Sequence, residues 1–115
     1  MTIIEFYEFI SGDFNAARRR IPSDALLIKF AKMFPSDPSM KNLREAIASG
    51  EMRAAFNAAH TLKGVSANLA FTKLHDAASN LTEQLRSGNQ PANAGLVDLL
   101  ETEYKKTIDA IGCLQ

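Results

Sequence analysis

Ala59-His60-Thr61-Leu62-Lys63-Gly64-Val65-Ser66-Ala67-Asn68-Leu69 is the stretch whose reading decides the fold. At about 100° per residue, the segment from Glu51 to Leu69 reads as one amphipathic helix. Leu62, Ala55, Leu69, Ala58, Val65, Ser66, Ala59 and Met52 fall on one broad side, centred near Leu62. His60 stands roughly 160° from that centre and faces water. Gly64 lies one turn further along the same outer face, which also carries Arg53, Asn57 and Ala67. Lys63 and Phe56 take one flank and Asn68 the other. A mid-helix glycine costs about 1 kcal/mol relative to alanine. Gly64 points away from the core, so it adds nothing to packing, but it clears space one turn beyond the imidazole. An exposed histidine with an open approach and a nearby ammonium suits a nucleophile that meets something large.

The flanking sequence is helical in both directions. Downstream, Leu69-Ala70-Phe71-Thr72 is a tight connection, with Thr72 the expected N-cap of the next helix. Leu74, Ala77, Ala78, Leu81 and Leu85 mark that helix at spacings of 3 and 4, and Gly88-Asn89-Gln90-Pro91 stops it. Leu96, Leu100, Tyr104, Thr107, Ile111 and Leu114 mark a last helix. Upstream, Ser23 is the expected N-cap of a helix carrying Leu27, Phe30, Ala31 and Phe34. Phe34-Pro35-Ser36-Asp37-Pro38 interrupts it, with Pro35 biasing Phe34 away from helical geometry. Asp37 and Pro38 read as N-cap and N1 of a new helix to Ser49, with Met40, Leu43 and Ile47 inward. At the N-terminus, Ile3 to Ile10 reads as a short lid helix ended by Ser11-Gly12-Asp13, and Phe14 to Ile21 adds another helical piece. Short connections make neighbouring helices antiparallel. The expected fold is all-α, an antiparallel up-down-up-down four-helix bundle with short N-terminal helical additions. Residues 1–115 are expected to form a single domain, with cap helices over 1–22 and the bundle over 23–114.

Composition removes several classes of function. The chain has 115 residues, the length of one domain. Its 13 basic and 13 acidic side chains balance, which leaves no general electrostatic footprint for nucleic acid or an anionic membrane. No apolar run approaches a transmembrane length, and Met1-Thr2-Ile3-Ile4-Glu5 lacks the basic start of a signal peptide. Cys113 is the one cysteine, so no internal disulfide forms, and a reducing cytoplasm is the expected location.

The chemistry centres on His60. Unperturbed imidazole titrates near pH 6.5, so a neutral ring offers one nitrogen lone pair that can attack phosphorus and hold a phosphoryl group as a phosphoramidate. Lys63, at i+3, is within reach of such a group. Arg53 and Lys73 add to the field at longer range, and Asn57, at i−3, is placed to bond the phosphate or the imidazole. No Asp or Glu falls between Arg53 and Asn68, where a carboxylate would repel the incoming group. The rest of a phosphoryl-transfer enzyme is missing: there is no Gly-x-x-x-x-Gly-Lys-Ser/Thr loop, no glycine-rich nucleotide loop and no acidic cluster for magnesium. Phe56, Ala67 and Phe71 are the expected apolar rim around His60, with Arg53, Asn57 and Asn68 completing a partner-binding face. For Phe56 the alternative is packing under the N-terminal helices.

The stretch resembles the histidine-containing phosphotransfer (HPt) domain, whose pattern is His-x-x-Lys-Gly, then small residues, then Asn-Leu-Gly. The match lies at His60, Lys63, Gly64, Ala67, Asn68 and Leu69. Ala70 stands where glycine is usual, and Val65 where a small polar residue is common. In length and pattern the resemblance runs from about Asp24 to about Leu114. It implies that His60 is the phosphoacceptor, that Lys63 offsets phosphate charge and that Gly64 gives steric access. It also implies response-regulator receiver domains, a hybrid sensor kinase, or both, as partners of a monomer in a multistep His-Asp relay. The receiver brings the aspartate and the Mg²⁺, so this chain is expected to be a carrier without its own cofactor or nucleotide site.

Blander readings stand beside these. A lone surface histidine usually has no role; what sets His60 apart is Lys63, Gly64 and Asn68-Leu69 in register. His75 reads as packing or solvated, and a zinc site from His60 and His75 lacks two ligands. Arg18-Arg19-Arg20 reads as a solvated face. Met33, Met40 and Met52 read as packing, and Cys113 has no electropositive neighbour in sequence that would make it reactive. Two other functions compete with the carrier. One is a receiver-binding adaptor that no longer carries phosphate (a pseudo-HPt), against which the intact His60, Lys63 and Gly64 argue. The other is the dimerisation bundle of an ATP-dependent kinase, which needs a helical-hairpin dimer and a following ATP-binding domain.

Overall fold

The computed structural model describes residues 1–115. The chain is helical throughout and has no strand. Its elements are α1 (Ile3–Phe9), α2 (Phe14–Arg20), α3 (Asp24–Met33), a 3-10 turn (Phe34–Ser36), α4 (Ser39–Ala48), α5 (Met52–Asn68), α6 (Thr72–Gln84) and α7 (Ala94–Gly112). In chain order α4 packs on α5, α5 on α6 and α6 on α7, while α3 also touches α7. No helix is long and apolar enough to cross a membrane.

Local signals set most boundaries. The Thr2 side chain accepts from the Glu5 N–H while Glu5 reaches back to the Thr2 N–H, a reciprocal cap on α1. Asp13 caps α2, Ser23 caps α3 as expected and Asn93 caps α7, each by a side-chain oxygen accepting a first-turn N–H. α4 starts one residue later than expected: Pro38 holds the N-cap position without a side-chain cap, and the Ser39 N–H donates instead to Asp37 Oδ1 across the turn. Thr72 is not a cap. It is the first residue of α6, its hydroxyl turns back to the Ala70 carbonyl, and Phe71 precedes the helix without a side-chain cap.

The interruption at 34–38 is one 3-10 turn, and Phe34 keeps helical dihedrals (φ −57°, ψ −40°) despite Pro35. Packing overrides the pre-proline bias. Phe34 is buried and meets Phe71 edge-on at 5.5 Å, and the Pro35 ring occupies the first turn of the new element, where an N–H is dispensable. Phe30 and Met33 do not pack inward; they are 40% and 55% exposed on the outer side of α3. The helix phase that buries Leu27, Ala31 and Phe34 turns both outward.

One apolar core runs from Ile3 to Leu114. At one end Phe6, Tyr7, Phe34 and Phe71 stack edge-on or tilted, with ring centroids 5.3 to 5.9 Å apart, which favours them beyond plain burial. α1 is thus a lid over that end, anchored by Tyr7 and Phe6. Met1 closes it at the edge: its amino group donates to the Cys113 carbonyl at 3.0 Å and its carbonyl accepts from the Gln115 N–H. Elsewhere Arg44 of α4 holds Glu101 of α7 through Nε and Nη2, the two donors of one guanidinium edge, while lying over the Tyr104 ring. The Glu101 carboxylate bonded to it holds the Arg44 guanidinium above its ordinary range.

Candidate functional site

α5 is amphipathic for the reason visible in its sequence: Ala55, Ala58, Ala59, Leu62 and Ser66 are buried, and the opposite face is open. The Ser66 hydroxyl, the one buried polar group on that side, donates to the Leu62 carbonyl at 2.8 Å and is satisfied within its own helix. His60, Gly64 and Asn68 are all exposed, one turn apart on one line. Neither ring nitrogen of His60 has a hydrogen-bond partner, so the ring is free to meet an incoming group. A methyl group added at Gly64 would meet nothing within 4 Å. The glycine therefore relieves no clash inside the fold, and its helix-weakening effect is uncompensated by packing.

The end of α5 is closed by a left-handed residue that is not glycine. Ala70 has φ +57°. Its N–H bonds the Ala67 carbonyl at 3.0 Å, and the Phe71 N–H bonds the Ser66 carbonyl at 2.9 Å, the paired arrangement that normally calls for glycine. Alanine is held there from outside: the Asp13 N–H donates to the Ala70 carbonyl and the Tyr7 hydroxyl to the Leu69 carbonyl. The turn after the helix is thus intact without the usual glycine.

The expected partner-facing residues separate into two groups. Arg53, Asn57 and Asn68 are exposed, and Phe56 and Ala67 are half-buried. Phe56 does not pack under the N-terminal helices: its ring stacks on the His60 ring (centroids 6.0 Å, planes 16° apart) and lies under the Arg86 guanidinium at 5.4 Å. Arg53 lies across the turn after α6, where a methyl added at Gly88 would meet its Nε at 3.4 Å. Asn57 makes no side-chain bond to His60; its carbonyl accepts from the Thr61 hydroxyl at 3.0 Å. The Ala67 carbonyl accepts from Arg20 Nη1, so α2 reaches this face. Phe71 is a correction. It is 1% exposed in the aromatic cluster with Phe6, Tyr7 and Phe34 and offers nothing to a partner. The tight turn at Ala70 swings the next residue under the lid.

Charge around His60 comes from more than α5. Lys63 is half-buried and in no ion pair. Glu83 and Arg86 of the segment ending α6 form a two-pronged pair at 2.6 and 3.0 Å beside it. The Arg86 guanidinium holds the Glu83 carboxyl below the usual carboxylate range, and Lys63 and His60 add to the effect. The same pair raises the Arg86 guanidinium. Glu-x-x-Arg is an i,i+3 spacing visible in the sequence, but that Arg86, in the turn just beyond α6, lies over the Phe56 ring beside His60 is not.

His60, Lys63 and Gly64 thus stand together, exposed or half-open, on a rigid helix, and the family model for the Hpt domain matches residues 33–110. The chain belongs to the Hpt domain family. Hpt domains are phosphocarrier modules of His-Asp phosphorelays and interact there with receiver domains and kinases. In this Hpt domain the matched span starts at the last residue of α3, so α1, α2 and the Arg20 contact lie outside it. No curated protein and no solved structure gives a significant match to the chain.

Proposed function

We propose that His60 carries a phosphoryl group between receiver-domain aspartates in a multistep His-Asp relay. The observation that supports this most is His60 itself: an exposed imidazole with both nitrogens unpartnered, mid-helix, flanked by an unpaired Lys63 and the open surface over Gly64. In the forward step a ring nitrogen uses its lone pair to form an N–P bond. The P–O bond of the aspartyl phosphate breaks, its electrons leave on the carboxylate, and the ring's other nitrogen releases its proton to water. Lys63 offsets the phosphoryl oxygens, and the helix fixes the angle of approach. The receiver is expected to bring the aspartate and the Mg²⁺.

Arg53, Phe56, Asn57, Ala67 and Asn68 are the proposed receiver-docking residues. The chain is proposed to act as a cytoplasmic monomer, a single domain over 1–115 with cap helices over 1–22 and a four-helix up-down-up-down bundle over 23–114. Sequential packing of α4 through α7 and the short connections support that arrangement.

The deciding experiment is phosphotransfer from labelled receiver domains, or from phosphoramidate, to the protein and to His60→Gln. Acid-labile, alkali-stable label on the wild type and none on a folded His60→Gln is the expected result. Receiver binding without label from any donor would instead identify the phosphate-independent adaptor.

A further inference from the structure

We propose that Phe56 is a positioning residue for phosphoryl transfer: its ring holds the His60 imidazole in one plane, and Arg86, reaching across from the turn beyond α6, holds Phe56. This rests on the reading that His60 is the phosphoacceptor, and it is separate from any contact Phe56 makes with a receiver.

Helix geometry gives His60 one support and one gap. Side chains on an α-helix lean toward its N-terminus, so the residue at i−4 lies under a side chain and the residue at i+4 leans onto it. For His60 those residues are Phe56 and Gly64. The imidazole stacks on the Phe56 ring, with centroids 6.0 Å apart and planes within 16°. Gly64 has no side chain to lean back, and the space over it is open. Two exposed rings on a bare helix surface would turn freely about their side-chain bonds. Phe56 is restrained because it is half-buried and because the Arg86 guanidinium lies 5.4 Å from its ring centroid. Arg86 is itself held: its Nε and Nη2 donate to the two carboxylate oxygens of Glu83 at 3.0 and 2.6 Å. The contacts run without a break from α6 to the nucleophile.

The role of the stack follows from where the imidazole keeps its electrons. The attacking lone pair lies in the ring plane, and Phe56 meets a ring face, so the direction of attack stays uncovered. With Phe56 in place the exposed ring gives up part of its rotational freedom before a phosphoryl donor arrives. That ordering is then not demanded again in the transition state. In the loading step the lone pair forms an N–P bond. The bond from phosphorus to its former carrier atom breaks, its electrons stay on that atom, and the ring's other nitrogen gives its proton to water. An aliphatic side chain of similar volume at position 56 fills the space but offers no flat face. The proposed role therefore belongs to the aromatic ring, not to bulk.

Partner-free loading tests this, because no receiver is present for Phe56 to dock. Wild type, Phe56→Tyr, Phe56→Leu, Arg86→Gln and the Phe56→Leu/Arg86→Gln double variant are treated with phosphoramidate. The initial rate of acid-labile labelling is measured on each, and circular dichroism checks each fold. Phe56→Leu should load about two- to tenfold more slowly, the size of one aromatic contact expressed as a rate. Phe56→Tyr keeps a flat ring and should recover most of that loss, and Arg86→Gln should fall between wild type and Phe56→Leu. In the Phe56→Leu background Arg86→Gln should cost nothing further, since its effect passes through the ring. In proton spectra the His60 ring C–H resonances should carry a ring-current shift in wild type that Phe56→Leu loses. Loading of Phe56→Leu or Arg86→Gln at the wild-type rate, a Phe56→Tyr as slow as Phe56→Leu, or a further loss in the double variant overturns the proposed chain of contacts and leaves the carrier reading intact. No label on wild type overturns both.

Discussion

The Tyr7 hydroxyl donates to the Leu69 carbonyl at 2.7 Å, tying the lid helix α1 to the end of the helix that carries His60. The two residues are 62 positions apart, and the bond is buried. Leu69 is the C-cap of α5, followed by Ala70 in the left-handed region. The lid therefore stabilises the one turn of the matched span that has alanine where glycine is usual. Tyr7→Phe should cost about 1–2 kcal/mol, because the Leu69 carbonyl loses its buried donor while the ring still fills its place. Urea unfolding measures it. Phosphotransfer should be unchanged, since Leu69 lies over two helical turns from His60. A variant as stable as wild type would remove the lid from the account of that turn.

Tyr7 also sets an alkaline limit. Burial pushes its hydroxyl far above the ordinary tyrosine range, so the fold favours the neutral phenol. An unfolded tyrosine titrates near pH 10. The sign follows from linkage: the raised group contributes its full stability below about pH 10, and that contribution drains away as pH rises further. Burial also raises Tyr104, so a shallower decline remains when Tyr7 is gone. Urea midpoints from pH 8 to 11 should fall more steeply for wild type than for Tyr7→Phe. Parallel curves would contradict the buried, neutral phenol.

Gly64 should separate stability from function. A methyl there meets nothing within 4 Å, so Gly64→Ala should stabilise the fold by about 1 kcal/mol through helix propensity alone. The same methyl narrows the approach to His60, and phosphotransfer should slow. Gly64→Glu adds bulk and negative charge and should lower transfer at least about tenfold with the fold retained. Transfer rates that both variants leave untouched would end the access role of this glycine.

Lys63→Ala should shorten the phosphohistidine half-life or slow transfer by about five- to tenfold, the loss of one charge-assisted bond at a half-open site. Stability should stay within about 0.5 kcal/mol, because Lys63 is in no ion pair that folding depends on. Lys63→Arg keeps the charge and should recover part of the rate. Equal kinetics for wild type and Lys63→Ala would retire Lys63 from the site.

What the sequence revealed and what it hid divide by range. The α5 face, the cap at Ser23 and the helical content are written in local spacing, where period and side-chain chemistry act within one or two turns. His60 was placed outward on α5 by that period alone. Phe71, Glu83 and Arg20 needed the tertiary fold. Phe71 adjoins a helix whose exposed end suggested a rim residue, but the turn at Ala70 sends it under α1. Glu83 and Arg86 were legible as a pair, yet which face of α6 meets α5 depends on packing. Phe30 and Met33 fit a helical period equally well inward or outward; Leu27 and Ala31 settle the phase only once α7 and α1 are in place.

Phe56 and Phe71 give the sharpest contrast, since both were expected on the same rim. Phe71→Ala empties the centre of the aromatic cluster and should cost about 3–5 kcal/mol, lowering the thermal midpoint and weakening receiver binding only as far as folded protein is lost. Phe56→Ala removes a half-buried ring between His60 and Arg86. It should cost the fold about 1 kcal/mol and receiver affinity about tenfold, the size expected of an aromatic near the centre of an interface. Calorimetry of receiver binding, beside thermal melts of both variants, separates the two. If Phe56→Ala binds receiver as wild type does while Phe71→Ala, corrected for unfolding, does not, then the docking face lies at the lid end of the molecule rather than around His60.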